Sequence, residues 1–573
     1  MDSQSPVNLS KKYDLNTKGT TNVANVDNLG LIAGLFDMFD LENLINKRIG
    51  KEGSHVNVDC GCIVKCLTMQ TLNAPYQTLS GTQEYFEGRP LDVLTRQKLK
   101  PEQLNRHAIG RMLDDVYEYG CEDLFLECSG QIAKKLNIKV TSAHLDSTSF
   151  HYDGESYKQE DCDVELNIGY SRDHRPELKQ IISLMMCESN SKIPLYQKGI
   201  SGNVNDNKSF NSTIKFAMNT IRQQFKDLQY LVGDSALFTR NNLIEAQKIK
   251  LDLVSRIPDG DLLAKECFES VLKDPTLLQP LDPDNKKCTT KYAWFDDIYA
   301  GEIKVKRLLI NNESLKATKN KTVQNRASKE VKRAQTEVNK LQSKPCSCKA
   351  DAVKELDKII KKNQRCLFTN IRYEEVTKNP SRGKPKADTK KILMAVKAYA
   401  DVSINEDAVA RELKSELMMV LTTTDTKRAW KCEELLSLYK KQSTIERSWK
   451  MLKNPKFLIN SIYLKKPSRI TALLWLMSIS LLVYCAGEYL LRKQMKIKDL
   501  SILSPDKSTK QKQPTMIRFL TYIGNTKITI VNKERPYMEN IPEDMLLALD
   551  AFGDCISYYY IPQNYKNYFK KID

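Results

Sequence analysis

The stretch IKVTSAHLDSTSF, residues 138 to 150, reads as a β-strand and follows a long region of helical periodicity. Strand-like and helix-like stretches alternate after it, which predicts an α/β layer built on a central mixed sheet. Directly after this first strand we expect two more strands, and then a helix, a strand, a second helix and a last strand. These stretches are residues 163–171, 178–189, 209–225, 228–234, 241–250 and 251–257.

Shifts in composition and periodicity divide the rest of the chain into segments around this layer. The predicted segments are 1–27 (a disordered lead-in), 28–135 (a helical N-terminal domain for DNA binding or assembly), 136–258 (the first part of the α/β core), 259–415 (an insertion), 416–495 (the second part of the core) and 496–573 (a linker and a C-terminal interaction region rich in aromatic side chains).

The insertion contains a helix signal of its own. Ala327, Val331, Ala334, Val338 and Leu341 are spaced by four, three, four and three residues, as the apolar face of a helix requires. The sequence SKPCSC then turns the chain, and a second periodic segment follows. We therefore expect a lysine-rich helical hairpin.

The charge balance favours a polyanionic partner. The chain of 573 residues has 89 lysines and arginines against 71 aspartates and glutamates, a net charge of +18. Cations that neutralise phosphates release condensed counterions, so such an excess suits DNA. The fifteen cysteines, with no apolar signal segment before them, predict a reducing cytoplasm.

Two cysteine groups raise the question of zinc binding. They are Cys60, Cys62 and Cys66, and the pair Cys346 and Cys348. Neither group has the paired CxxC spacing of a zinc ribbon, so we interpret them as core or turn residues, with zinc as the alternative.

Residues 470–487 contain no charged side chain, and this stretch is just long enough for a transmembrane helix. The stretch stands alone and includes Thr471, Ser478 and Ser480. A helix buried in a large core is the favoured interpretation, and we expect no membrane partner.

Three carboxylates fall where the predicted sheet would bring them together. Asp146 is expected at the end of the first strand, Asp234 at the end of the fourth, and Glu446 on the helix after the insertion. If the first and fourth strands are neighbours, both aspartates lie at one edge. Three oxygen ligands suit two Mg²⁺ or Mn²⁺ ions, which can clamp the attacking and leaving oxygens of a phosphodiester.

A polar set shares one face of the predicted helix around Glu446. Tyr439, Gln442, Glu446 and Lys453 fall within an arc of roughly 60° at 100° per residue. The neighbouring apolar stripe, which would seat the helix, consists of Ile445, Trp449 and Leu452.

This spacing resembles the Tyr–x2–Arg–x3–Glu–x6–Lys signature of insertion-sequence DDE transposases, with Gln442 where the signature has arginine. The stretches LDSTSF, IGYSRDHRPELKQ, IPLYQKGISGN, VGDSAL and IERSWKMLKNP are also similar to blocks of one branch of that superfamily. The resemblance covers residues 138–256 and 417–492, and the N-terminal region more loosely.

The resemblance implies an α/β RNase H-like mixed-sheet catalytic core with a large insertion, an N-terminal helical domain and a small C-terminal helical region. It implies a transposase that binds the terminal inverted repeats of an insertion sequence, cleaves at the element ends and joins them to target DNA. The implied metal ligands for two Mg²⁺ or Mn²⁺ ions are Asp146, Asp234 and Glu446.

Tyr439 and Lys453 are implied phosphate contacts, and Arg447 and Lys450 are expected to bind DNA beside them. Gln442 keeps a donor but lacks the charged fork of arginine. The implied partners are the double-stranded element ends, the target DNA and a second copy of the chain in a homodimer. The alternative is a catalytically inactive DNA-binding regulator of the same fold, which loss of a carboxylate would indicate; all three are present.

Overall fold

The computed structural model describes residues 7–8, 21–50, 58–73, 78–154, 162–172, 175–285, 287–380, 391–453, 464–503, 509–524, 526–531 and 535–562. The chain divides into two units. Unit 1 comprises Met1–Ser255, Ala300–Ile303 and Leu435–Asp573, and unit 2 comprises Arg256–Tyr299 and Lys304–Glu434.

The strands of the described residues are β1 (Val7–Asn8), β2 (Thr21–Asn25), β3 (Ser142–His151), β4 (Gln180–Glu188), β5 (Pro194–Ser201), β6 (Tyr230–Gly233), β7 (Asp252–Arg256), β8 (Gln279–Pro280), β9 (Thr290–Ala300), β10 (Ile303–Asn312), β11 (Cys366–Lys378), β12 (Ile392–Ile404), β13 (Met418–Thr423), β14 (Ile502–Leu503), β15 (Lys510–Gln511), β16 (Lys527–Val531) and β17 (Asn540–Ile541).

The α-helices are α1 (Leu29–Phe39), α2 (Leu41–Ile49), α3 (Cys60–Asn73), α4 (Thr82–Phe86), α5 (Leu91–Thr95), α6 (Arg106–Tyr119), α7 (Cys121–Lys135), α8 (Asp206–Ser212), α9 (Met218–Gln224), α10 (Arg240–Lys248), α11 (Leu262–Lys273), α12 (Lys316–Ser343), α13 (Lys349–Lys362), α14 (Glu406–Glu416), α15 (Cys432–Lys440), α16 (Ser443–Leu452), α17 (Pro467–Ile497), α18 (Met516–Ile523), α19 (Glu543–Ala551) and α20 (Asp554–Ser557).

The sheet of unit 1 has the strand order β5-β4-β3-β6-β7. The first three strands are antiparallel neighbours, and β6 runs parallel to both β3 and β7. This is the mixed sheet that the order of strands and helices predicts, with the RNase H-like form that the family resemblance implies. β4 is buried at every position because neighbouring strands pair with both of its edges and helices cover the sheet.

The second strand is not where the alternation in 163–171 predicts it. That segment forms one isolated bridge, between Asn167 and Gln180, and the second and third strands are β4 and β5. Val164 and Leu166 are buried whereas Ile168 and Tyr170 are exposed. Because β3 and β5 occupy both edges of β4, the segment can pair only at the end of the strand.

The long helix α17 forms the centre of the core of unit 1. It packs against α3, α6, α7, β5, α16, α18 and α19. Among the described residues it is the one helix long and apolar enough to cross a membrane, and 94% of its most apolar window is buried inside the protein. Its buried hydroxyls are satisfied within the helix, since Thr471, Ser478 and Ser480 each donate to the carbonyl four residues earlier.

Described residues near both ends of the chain also belong to unit 1, while most of the predicted lead-in 1–27 lies outside the described residues. β2 pairs with β16, and β1 pairs with β17. Strand partners so distant in sequence leave no local signal, so these two pairings are not evident from the sequence pattern.

Two C-terminal tyrosines are fully buried against the N-terminal helices. The hydroxyl of Tyr559 donates to Asp37 at 2.7 Å, and Asp37 also accepts from the buried Lys65 at 2.6 Å. The hydroxyl of Tyr560 accepts from the backbone N–H of Leu31 at 2.9 Å. It therefore supplies the N-terminal cap that the side chain of Asn28 does not provide for α1.

Unit 2 contains the strand order β13-β10-β9-β8 and the two-stranded sheet β11-β12. The predicted hairpin is present as α12 and α13, which pack against β12. The predicted apolar face of α12 is buried at Ala327, Ala334 and Val338. The cysteines Cys62 and Cys66, on α3 of unit 1, are likewise buried core residues.

Replacing Tyr560 with phenylalanine should lower the free energy of unfolding by about 1–3 kcal/mol, because the N–H of Leu31 loses its acceptor in a dry environment. Urea denaturation measures this change. The matched control is Tyr558→Phe, whose hydroxyl has no hydrogen-bond partner among the described residues and which should change stability by at most about 0.5 kcal/mol. Equal effects of the two substitutions would contradict the capping role.

Candidate active site

The parallel pairing of β3 with β6 places two aspartates at the same level of the sheet. Ser142 is opposite Tyr230, and His144 is opposite Val232. The same register, continued by two residues, brings Asp146 opposite Asp234. Asp234 directly follows β6, as predicted.

Asp146 lies inside β3 and not at its end, which corrects the sequence prediction. β3 continues for five residues beyond it because the antiparallel pairing with β4 extends from Ala143 to His151. Because β3 continues past the end of its parallel neighbour β6, Asp146 lies beside the C-terminal end of β6.

Backbone N–H groups hold both aspartates in place. Asp146 Oδ1 accepts from the N–H of Ser147 at 2.8 Å. Asp234 Oδ1 accepts from the N–H of Ala236 at 3.0 Å and so caps a short 3₁₀ turn. Within the described part of the chain, the second oxygen of each carboxylate accepts no hydrogen bond and so can bind another ligand.

The structure adds two residues that the sequence prediction missed. Arg172 lies with Nη1 3.8 Å from Asp146 Oδ1, and its Nη2 donates to Asp206 and, at 3.1 Å, to Ser147 Oγ. Ser147 Oγ donates in turn to Asp206 Oδ1 at 2.5 Å. Asp206 begins α8, so in the sequence it reads as an ordinary acidic residue of a first helical turn.

This cluster carries an excess of negative charge. Burial raises the pKa of Asp146 to about 7, while Arg172 and the N–H of Ser147 lower it and the neighbouring Asp234 and Asp206 raise it further. Burial also raises the pKa of Asp234; the N–H of Ala236 and Arg172 oppose that rise, and Asp206 adds to it. Paired carboxylates with a single nearby guanidinium form a favourable environment for a hard cation.

The helix predicted to carry Tyr439, Gln442, Glu446 and Lys453 on one face is broken. α15 ends at Lys440 and α16 begins at Ser443, so Tyr439 lies on a separate helix from Glu446. The helical spacing of the sequence does not reveal this break, since Gln442 between the two helices has helical backbone angles. Gln442, Glu446 and Lys453, on or directly beside α16, fall within about 40° of one another around its axis.

Gln442 contacts the sheet. Its Oε1 accepts from His144 Nδ1 at 2.8 Å, and its Nε2 donates to the carbonyl of Leu145 at 3.4 Å. Burial lowers the pKa of His144 to about 4, so the imidazole is neutral. The amide at this position therefore joins α16 to β3.

The other predicted DNA-binding residues lie on or beside α16. Lys453 Nζ lies 5.6 Å from the ring centroid of Phe150, near the far end of β3. Glu446, Arg447 and Lys450 are exposed. Among the described residues no three histidine, cysteine, aspartate or glutamate side chains are close enough to hold a metal ion, so Glu446 is not in ligand contact with both aspartates.

Comparison with protein families assigns this core. The family described as "Transposase DDE domain" matches residues 144–483, which is more than half of the chain. The chain belongs to this DDE transposase family. A second match, over residues 21–129, is to a "Domain of unknown function (DUF4277)". A comparison with curated protein sequences finds no match.

Two solved transposase structures are similar to this DDE transposase chain at low identity. One is the cryo-EM structure of the piggyBac transposase synaptic complex with hairpin DNA, at 9% identity and a TM-score of 0.36, covering 96% of this chain and 87% of that one. The other is the Mos1 transposase paired-end complex with left transposon end, at 12% identity and a TM-score of 0.15, covering 31% and 53%.

Replacing Asp146 with asparagine should stabilise the metal-free transposase at alkaline pH. A carboxyl group whose pKa is higher in the folded protein than in the unfolded chain lowers stability as the pH rises between the two values. The wild type should therefore lose stability between about pH 4 and pH 7, by at most about 4 kcal/mol from this group. The variant, which keeps the raised pKa of Asp234, should lose less. Asparagine keeps the oxygen that accepts from Ser147.

Urea denaturation in EDTA at both ends of this range measures the difference. The matched control is Asp92→Asn, an exposed aspartate of α5, which should give no gain that depends on pH. A stability difference between Asp146→Asn and the wild type that stays constant with pH would contradict the raised pKa of Asp146.

Proposed function

We propose that this transposase binds the terminal inverted repeats of an insertion sequence, cleaves the DNA at the element ends and transfers the strands into target DNA with two Mg²⁺ or Mn²⁺ ions. The observation that carries the proposal is the β3–β6 register, which aligns Asp146 with Asp234 in a family of DNA transposases.

The chemistry of the two aspartates fits a divalent cation. Each has one oxygen oriented by a backbone N–H and one oxygen that this N–H does not use. Burial and mutual repulsion raise the pKa of Asp146, so a cation between the carboxylates would relieve an existing cost. When bound, the metal ions would activate water and stabilise charge on the oxygens of the scissile phosphodiester.

The position of α16 supports Glu446 as the third ligand. Gln442 meets β3 at His144, and Lys453 meets it at Phe150, so the helix runs along the strand. Glu446 lies about 6 Å along the helix from Gln442. Asp146 lies about 7 Å along the strand from His144, so the two carboxylates are level.

The residues around these carboxylates would position the DNA. Lys453 and Tyr439 are proposed phosphate contacts, with Arg447 and Lys450 beside them. Gln442 is assigned a positioning role, since its amide holds α16 against β3. The N-terminal helices as an assembly or DNA-binding region, a homodimer that bridges two element ends, and a cytoplasmic location are further parts of the proposal.

The test is cleavage of a duplex that carries the flanking inverted repeat of the protein's own gene, with Mg²⁺, with Mn²⁺ and with EDTA. Wild-type protein should cut at the repeat end only with a metal ion. Glu446→Gln should reduce cutting by at least about a hundredfold while DNA binding persists, because the amide is a poor ligand for a hard cation. A gel-shift assay on the same duplex measures binding.

The matched control is Glu433→Gln, an exposed glutamate of α15, which should cut like the wild type. Cutting by Glu446→Gln at the wild-type rate would remove this residue from the active site. If the wild type binds the duplex but does not cut it with Mg²⁺, with Mn²⁺ or in EDTA, the catalytically inactive regulator would be favoured.

A further inference from the structure

A basic cavity of about 320 Å³ lies beside α16 in unit 1. α16 contributes Arg447 and Lys450, α17 contributes Tyr484, Glu488 and Arg492, and the turn between β4 and β5 contributes Lys192. Arg447 is displaced by about 100° around α16 from Glu446, so the cavity borders another flank of the helix.

The single carboxylate in this basic cavity is already engaged. Glu488 Oε1 pairs with Arg492 at 2.7 Å, and Oε2 accepts from the N–H of Met516 at 2.9 Å. Among the described residues no carboxylate pairs with Lys192, Arg447 or Lys450. The cavity therefore has four cations for one anion.

Two features make the position of Lys192 in this cavity unfavourable. Its backbone has a φ of 67°, in the left-handed region that lysine rarely adopts. Burial lowers the pKa of its ammonium group, and the nearby Arg492 and Arg447 lower it further while Glu488 opposes them. Glu188, its neighbour in the turn, accepts from Asn190 and Ser191 and does not compensate this charge.

Two hydroxyl groups also line the basic cavity and can donate hydrogen bonds. Tyr484 accepts from the N–H of Ile517 at 3.1 Å through its oxygen, which leaves the phenolic proton for another acceptor. The side chain of Thr515 also lines the cavity and accepts from the N–H of Arg518 at 3.4 Å. A concave group of cations and O–H donors matches an anion with several acceptor oxygens.

We infer that this basic cavity binds a phosphate group of the DNA backbone, which rests on the proposed function. The DNA backbone is favoured over a free phosphate ion because Arg447 and Lys450 are exposed on the helix that carries Glu446. One helix would then hold the reacting strand on one flank and a second phosphate on the other.

The test compares the wild type with Lys192→Asn, because asparagine tolerates a left-handed backbone. Binding of the inverted-repeat duplex should weaken on the order of fivefold at moderate salt, and the slope of log affinity against log salt should fall by about 0.9. The melting temperature of the free protein should rise, since the substitution removes a repelled cation. Arg447→Gln, at an exposed position, should give the same loss of binding and of slope.

The matched control is Lys250→Asn. Lys250 is exposed, also has a left-handed backbone with a φ of 54°, and lies outside the basic cavity. It should leave the affinity and its salt slope unchanged.

Orthophosphate distinguishes the two sources of the anion. It should raise the melting temperature of the wild type more than that of Lys192→Asn. Protection by orthophosphate with unchanged DNA binding of the variants would mean a free-phosphate site and would overturn the assignment to DNA. Equal affinity and equal slope in all variants would overturn the inference while leaving the proposed function intact, whereas a wild type that binds no DNA would overturn the proposed function itself.

Discussion

The parallel pairing between β3 and β6 is the constraint on which the candidate active site depends. Asp146 and Asp234 come from strands separated by β4, β5 and two helices in the sequence, and only this register makes them level. Successive side chains of a strand point to opposite faces, so a slip of one residue would move Asp146 to the other side of the sheet. The same register sets the position of His144, which holds Gln442 and therefore the start of α16.

The helix α17 supports this arrangement from behind. It packs against the N-terminal helices, β5, α16 and the C-terminal helices, so elements from the whole of unit 1 share one apolar partner. Close approach is possible because small residues line the contacts: a side chain at Gly199 on β5 would meet Thr471, and one at Gly487 would meet Leu35. The paired Arg469 and Asp114 add a bidentate ion pair between α17 and α6. The apolar stretch of 470–487 is therefore explained by burial within the protein.

Features with a strong local pattern could be predicted from the sequence. The position of Asp234 at the end of a short apolar strand, the hairpin of α12 and α13 and the buried face around Ala327 all follow from periodicity. Features that depend on distant partners could not. Alternation in 163–171 does not reveal that both edges of β4 are taken, and of the alternating apolar residues only Val164 and Leu166 are buried. The contact of Arg172 with Asp206 exists only once β3 and α8 are packed. Likewise, helical periodicity runs through the break at 441–442 and hides the separation of Tyr439 from Glu446.

The charges around α16 are segregated in a way that folding alone does not favour. On one side, Asp146, Asp234 and Asp206 crowd together with Arg172 as their nearby cation. On the other side, Lys192 and Arg447 repel each other around a glutamate that is already engaged. Exchanging charges between the two clusters would relieve both repulsions, so each cluster is better understood as half of an interaction whose other half is a ligand. Under the proposed function, a divalent cation would complete the first cluster and a phosphate of the DNA backbone would complete the second.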